Sequence, residues 1–317
     1  MKNINKLLFG IIASWAVLAT VFGFYDLEIS KYTTSLYKDS LVFEFGNRYG
    51  NDIDEPLLYV SITILVGSIF NDIRMQRKIG IVMIFYSIIY LGYMFLSFDE
   101  NGIIISYMII IFLFTFLSLT YNKNWRKYVP IAISIILLFF FTSVIVELMK
   151  LEWGRVRYED LSSESEFTQW YIINGPDHDN SSFPSKHTAS AFTFLPILAI
   201  MNNKEMSKKL KIILLFSVVG FGLYVGVSRV AIGKHYASDV LFSAGIISIL
   251  TISFYRIFNT LDFNTKFNDI GSANKISEII YSNLTDQWLG CYYNQKGRKF
   301  WKWFNSYEEA SNFSLTM

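Results

Sequence analysis

Apolar residues along this 317-residue chain come in blocks separated by shorter polar segments. The blocks run Leu7–Phe24, Pro56–Phe70, Ile79–Phe98, Gly102–Thr120, Val129–Val146, Thr188–Met201, Ile212–Val227 and Val240–Phe258. A block of about 18 or more residues is long enough to span a bilayer as a helix. The shorter blocks reach that length when flanking residues extend them into the interface. The pattern predicts an all-α fold, a polytopic membrane helix bundle of about eight transmembrane helices. Lys2 and Lys6 precede the first block as in a signal peptide, but no convincing small-residue cleavage site follows. That block is read as an uncleaved first helix. Asp26–Glu55 is mixed and acidic-leaning, with Gly46, Gly50 and Pro56 as breakers, and reads as an exposed loop containing a surface helix.

Charge placement orients the blocks. With the N-terminus in the cytoplasm and one crossing per block, the cytoplasmic segments hold 19 of the 28 Lys and Arg residues, counting Arg256 at the inner end of the last block. These include Arg74, Arg77 and Lys78, then Lys123, Arg126 and Lys127, then Lys204, Lys208, Lys209 and Lys211. Every short loop obeys the positive-inside rule. Lys150–His187 and Ser228–Asp239 then share the non-cytoplasmic face. Past the last block, Trp288, Tyr292, Tyr293, Trp301, Trp303 and Phe304 flank a turn-like Asn294–Arg298, which reads as a small β-hairpin and helix. Three regions follow: 1–128 with about four membrane helices and an outer loop at 26–55, a catalytic membrane core at 129–258, and a cytoplasmic tail domain at 259–317.

Composition agrees with the blocks. The chain is 52% hydrophobic and only 17% charged, against about 25% charged for a soluble globular protein. The one cysteine, Cys291, excludes an intramolecular disulfide and a cysteine metal cluster. All three histidines, His178, His187 and His235, fall within a single 58-residue window.

That window carries the chemistry. Lys150 ends the fifth block and Arg157 follows seven residues later, two turns along if the helix continues, so both cations would point the same way. Phe183-Pro184-Ser185-Lys186-His187 leads into the sixth block, placing Ser185 at a helix start, where backbone N–H groups favour an anion. Ser228-Arg229 and His235-x3-Asp239 join the seventh and eighth blocks. His235 and Asp239 are four apart, so on a helix they share a face. The carboxylate can then accept one imidazole N–H and leave the other nitrogen free to attack. Arg229 offers a planar fork suited to phosphate oxygens. Taken singly, each group has a structural explanation as a snorkelling cation, a cap or a satisfied histidine. Together they set cations, a serine, two histidines and an aspartate on one side of one membrane, where ionisable residues are costly.

The ordered pattern Lys-x6-Arg, Pro-Ser-x-His and Ser-Arg-x5-His-x3-Asp resembles the type 2 phosphatidic acid phosphatase superfamily, which includes lipid phosphatases, lipid phosphotransferases and vanadium haloperoxidases. The resemblance implies that His235 is the nucleophile, that Asp239 orients it and that His187 is the general acid. It further implies that Lys150, Arg157, Ser185 and Arg229 bind phosphate oxygens. Two positions depart from the family's usual pattern, Tyr158 in place of a proline and Lys186 in place of a glycine. Lys186 removes a flexible backbone position and adds a cation for a further phosphate contact.

The expected activity is that of a metal-independent membrane lipid phosphate phosphohydrolase with a phosphohistidine intermediate. Its substrates would be phosphatidate, phosphatidylglycerophosphate, prenyl diphosphates or lipid A phosphates. A lipid phosphotransferase and a non-catalytic phospholipid-binding or transport protein are the alternatives. No cofactor and no metal site are expected, since a single carboxylate accompanies the histidines and the cations beside them oppose a metal ion. The expected partners are the lipid phosphate and the bilayer, with no nucleic acid. The expected location is a bacterial inner membrane, with the site facing the periplasm.

Overall fold

The computed structural model describes residues 2–50, 52–70, 72–176, 181–202, 206–260, 278–282, 287–293 and 299–312. His178 and the turn 294–298 lie outside the described residues. The first of two compact units spans 1–257. It contains α1 (Lys2–Tyr37), α2 (Leu41–Tyr49), α3 (Asp54–Ser68), α4 (Ile73–Leu96), α5 (Glu100–Thr120), α6 (Val129–Trp153), α7 (Lys186–Phe192), α8 (Lys208–Ala231) and α9 (Ala237–Thr260). The fold is an all-α bundle. Among the described residues six helices are long and apolar enough to cross a membrane, within α1, α4, α5, α6, α8 and α9.

Two of the expected eight spans fall short for visible reasons. α3 covers only 15 residues. The block Thr188–Met201 is not one helix. α7 stops at Phe192 after seven residues, and a 3-10 helix follows at Leu195–Asn202. A continuous α-helix would set the Pro196 ring against the Phe192 carbonyl and lose one hydrogen bond.

The segment 26–55 is not an exposed loop. α1 runs on to Tyr37 without a break, and α2 follows after a short turn. Asp26 is 1% exposed and Ser30 0%. Four residues apart, they share one helical face, and that face turns inward. Asp26, which looked solvated, is an interior partner of Arg155 and Ser238 instead.

The bundle half formed by α3, α4, α5 and α6 is held by Val60, Ile64, Ile109, Leu113, Trp125 and Ala132, all buried. The buried Trp125 is anchored at both polar ends. Its backbone N–H donates to Gln76 Oε1 (3.0 Å) and its indole N–H to Thr120 Oγ1 (3.1 Å).

The second compact unit, 258–317, holds an antiparallel sheet in the order β1-β2-β3, with β1 Glu278–Ser282, β2 Gln287–Tyr293 and β3 Lys299–Phe304. Cys291 of β2 pairs with Glu278 on one side and Trp301 on the other. α10 (Tyr307–Asn312) follows. The aromatic tail thus forms three strands and a helix, one strand more than the predicted hairpin.

Candidate active site

Three chain reversals bring the motif residues together. The first is at Gly154, which caps α6 in the left-handed conformation (φ 49°) with its N–H on the Lys150 carbonyl. Glycine adopts that conformation without a Cβ penalty. The helix therefore does not continue to Arg157, and the two cations do not share a helical face as the spacing predicts. Lys150 stays on the last turn of α6 while Arg155 and Arg157 lie on the extended strand beyond. The second reversal is at Gly233 (φ 82°), between α8 and α9. The backbone N–H groups of Lys234 and His235 both return to the Arg229 carbonyl, at 3.0 and 3.2 Å. The third brings 181–185 against α9, with the Ser185 N–H on the Asp239 carbonyl at 3.3 Å. The loops are also tied to each other, since the Glu159 N–H donates to the Gly233 carbonyl (3.1 Å).

His235 lies just ahead of α9 and is 2% exposed. Its Nδ1 is 2.6 Å from the Ser182 carbonyl oxygen and 3.6 Å from Asp239 Oδ2. A carbonyl can only accept, so Nδ1 carries the proton and the ring's lone pair is on Nε2. The free nitrogen is the one expected. The partner that fixes it is the Ser182 backbone, with the carboxylate 3.6 Å away, beyond hydrogen-bond reach. Burial pushes the His235 pKa down to about 4, against the opposing pull of Asp239, so the ring is neutral at pH 7.

Asp239 is committed elsewhere. Its Oδ1 accepts from Arg155 Nη1 (2.6 Å), and its Oδ2 from Ser182 Oγ (2.6 Å) and the Tyr236 N–H (2.8 Å). Arg155 reaches in turn to Asp26 Oδ2 (3.0 Å) and Ser238 Oγ (2.8 Å), with its carbons over the Tyr236 ring at 4.1 Å. The Ser238 hydroxyl and N–H both donate to Asp26. All three ionic side chains are 0% exposed. Two carboxylates thus face one guanidinium beside His235. Arg155 and Asp26 were not among the candidates from sequence. The spacing Lys-x6-Arg drew attention past Arg155, and nothing local marks Asp26.

Removing one member of a buried ionic set costs about 3–5 kcal/mol, because the remaining charges are left uncompensated. Arg155→Met strands two carboxylates, whereas Asp26→Asn leaves a matched Arg155–Asp239 pair. Thermal unfolding in detergent is expected to show a much larger loss for Arg155→Met than for Asp26→Asn. Small, equal losses would contradict the burial of this set.

The remaining cations surround His187 and His235. Lys150 and Arg229 both act electrostatically on the two rings, and Arg157 acts on Arg229. Arg157 Nη2 donates to Ser181 Oγ (3.0 Å), and Arg229 Nη1 donates to Asn47 Oδ1. The Nε atoms of Arg157 and Arg229 are buried with no hydrogen-bond partner. A buried unsatisfied charged donor is costly, and an anion's oxygen would supply what these two lack. Burial, then Arg229, pushes the His187 pKa down to about 2, with the Asn47 backbone as a partner favouring the protonated ring. A phosphate anion between these cations would offset them and let His187 hold a proton. α2 closes this side. A Cβ on Gly46 would stand 2.3 Å from Ser228 Oγ, and one on Gly50 would stand 2.6 Å from Val225 Cγ1. Only glycine allows α2 to approach α8 that closely. Asn47 was missed for the same reason as Asp26.

Two expected phosphate ligands are placed differently. Ser185 is buried, and its Oγ accepts from the Thr188 N–H (3.4 Å) and the Thr188 hydroxyl (3.0 Å), capping its own short helix. Lys186 is 39% exposed at its side chain and pairs with Glu147 at 3.3 Å. Among the described residues no group of three His, Cys, Asp or Glu side chains is placed to hold a metal ion.

Residues 127–262 match the family model of the PAP2 superfamily, a stretch that includes every motif residue from Lys150 to Asp239. The chain is similar to undecaprenyl-diphosphatase BcrC of Bacillus subtilis (strain 168), at 34% identity over 110 residues. The match covers 35% of this chain and spans half the length of that relative. No solved structure matches the chain. The three motifs, converging on two histidines and a cation cradle, lie in the segment 127–262 that matches the PAP2 superfamily model.

Proposed function

We propose that the protein hydrolyses a lipid-linked phosphate through a phosphohistidine on His235, with the site on the non-cytoplasmic face. The observation that carries this reading is the commitment of His235 Nδ1 to the Ser182 carbonyl at 2.6 Å. It leaves Nε2 as the nucleophile, with the Arg229 charge acting on the ring, and Arg229 and Arg157 each keep an unpartnered guanidinium N–H. Nε2 attacks phosphorus as the phosphorus–oxygen bond to the leaving group breaks, and His187 gives its proton to that oxygen. Lys150, Arg157 and Arg229 hold the charge on the equatorial oxygens, which is most of the catalysis in phosphoryl transfer. The net negative charge of Asp239, Arg155 and Asp26 offsets the cationic phosphoimidazole. Water, deprotonated by His187, then attacks phosphorus, breaks the phosphorus–nitrogen bond and restores the free ring.

The relative's printed activity supports a prenyl diphosphate as the substrate class. Lys186, near the Lys150 end of the cradle, would shift from Glu147 to the distal phosphate of such a substrate. The test has two arms. Purified protein in detergent with EDTA is expected to release phosphate from farnesyl diphosphate faster than from phosphatidate or phosphatidylglycerophosphate. Silence on all three overturns the reading. For sidedness, single cysteines replace the exposed Ser165 and Asn122 in a Cys291→Ser background. An impermeant thiol reagent added outside whole cells is expected to label the first position and spare the second. The reverse pattern would put the site in the cytoplasm.

A further inference from the structure

Beside the phosphate cradle lies an apolar cavity of about 350 Å³ between α2, α5 and α8. Tyr49 and Ile53 line it from the α2 side, Ile104 and Met108 from α5, and Phe221 and Val225 from α8. The cavity and the cradle share a wall. Gly46 lines the cavity while its backbone packs on Ser228, and its neighbour Asn47 accepts from Arg229. On α8, Val225 is one turn from Arg229 and Phe221 is two turns away, so the lining descends about 12 Å from the cradle at 1.5 Å per residue. α2 thus covers both compartments, with a polar edge on the guanidinium and an apolar edge over the cavity. Its seat on α8 holds the two at a fixed separation.

We propose that this cavity binds the hydrocarbon nearest the phosphate, so that α2, α5 and α8 select the substrate by its chain. The inference rests on the lipid phosphatase reading. An occupant must be apolar, because the lining offers almost no polar atom, and an anionic end suits it, because Asn47, next to the lining Gly46, accepts from Arg229. A lipid phosphate has both properties, with the polar end at the cradle and the chain running along α8. Volumes of this size are typical of ligand sites.

Photolabelling tests the site apart from turnover. The probe is a ten-carbon alkyl phosphate with a diazirine near the chain end, and the control is the matching alcohol. The phosphate probe is expected to label residues around 104–108 and 221–225 far more than the alcohol does. Equal labelling by both would mean a groove filled by bulk lipid and would overturn the proposal, as would labelling on other faces of the bundle. Labelling at these positions with no phosphate released from any substrate sinks the phosphatase reading and leaves the cavity assignment standing. The kinetic arm uses Met108→Trp, which fills the cavity without touching the cradle. The preference in kcat/KM for decyl over ethyl phosphate is expected to fall about tenfold or more, the range for a lost apolar contact. Hydrolysis of nitrophenyl phosphate, which has no chain, is expected to fall far less than that of decyl phosphate. Equal losses on decyl and nitrophenyl phosphate would contradict the selective role.

Discussion

Replacing His235 with glutamine is expected to lower phosphate release by about four orders of magnitude or more, the scale on which nucleophile removal acts. Glutamine is the better test than alanine because His235 is 2% exposed and packed in. Alanine would open a cavity, whereas the amide keeps volume and can still donate to Ser182. Retained tail-unit and bundle folding, read by unchanged thermal unfolding, separates lost chemistry from lost structure. The same variant is expected to bind the substrate analogue that the wild type binds, since Lys150, Arg157 and Arg229 remain. Turnover at the wild-type rate would end the phosphohistidine mechanism.

The second large effect distinguishes the two histidines by their leaving groups. An alkyl or prenyl phosphate departs as a basic oxygen that needs a proton, whereas a nitrophenyl phosphate departs as a weakly basic phenolate. General acid catalysis supplies about 100- to 10,000-fold. His187→Gln is therefore expected to lose that much on a lipid phosphate and far less on nitrophenyl phosphate. His235→Gln is expected to lose both alike. The ring's depressed pKa makes the comparison sharper, because the proton on His187 depends on the bound anion offsetting Arg229. Equal losses on both substrates for His187→Gln would assign that ring to phosphate binding instead.

What could be read from the sequence divides along the range of the interactions. The helical class was legible because bilayer length and hydropathy are local properties. The motif residues were legible because three short patterns carry them, and two glycine reversals bring them within reach of each other. Arg155 lay inside the first pattern yet was passed over, because its partners, Asp26 and Asp239, are 129 and 84 residues away. Asn47 and the approach of Gly46 to Ser228 were hidden likewise, since α2 meets α8 only through tertiary packing. The continuous sixth span failed at Pro196, which hydropathy alone does not penalise. The extra length of α1 was hidden by Asp26, whose polarity signalled water but served an interior contact.

The buried Arg155 set also bears on how the chain is made. Asp26 leaves the ribosome 129 residues before Arg155. At about 5–20 residues per second, that interval lasts roughly 6 to 26 seconds. Asp239 arrives 84 residues later still. A lone carboxylate at membrane depth is costly, so the Asp26 turn of α1 has no ionic partner until Arg155, just past α6, has been made. Any nascent chain stopped before Arg155 presents an unmatched carboxylate, a mark by which quality control can tell an early-stopped copy from a longer one.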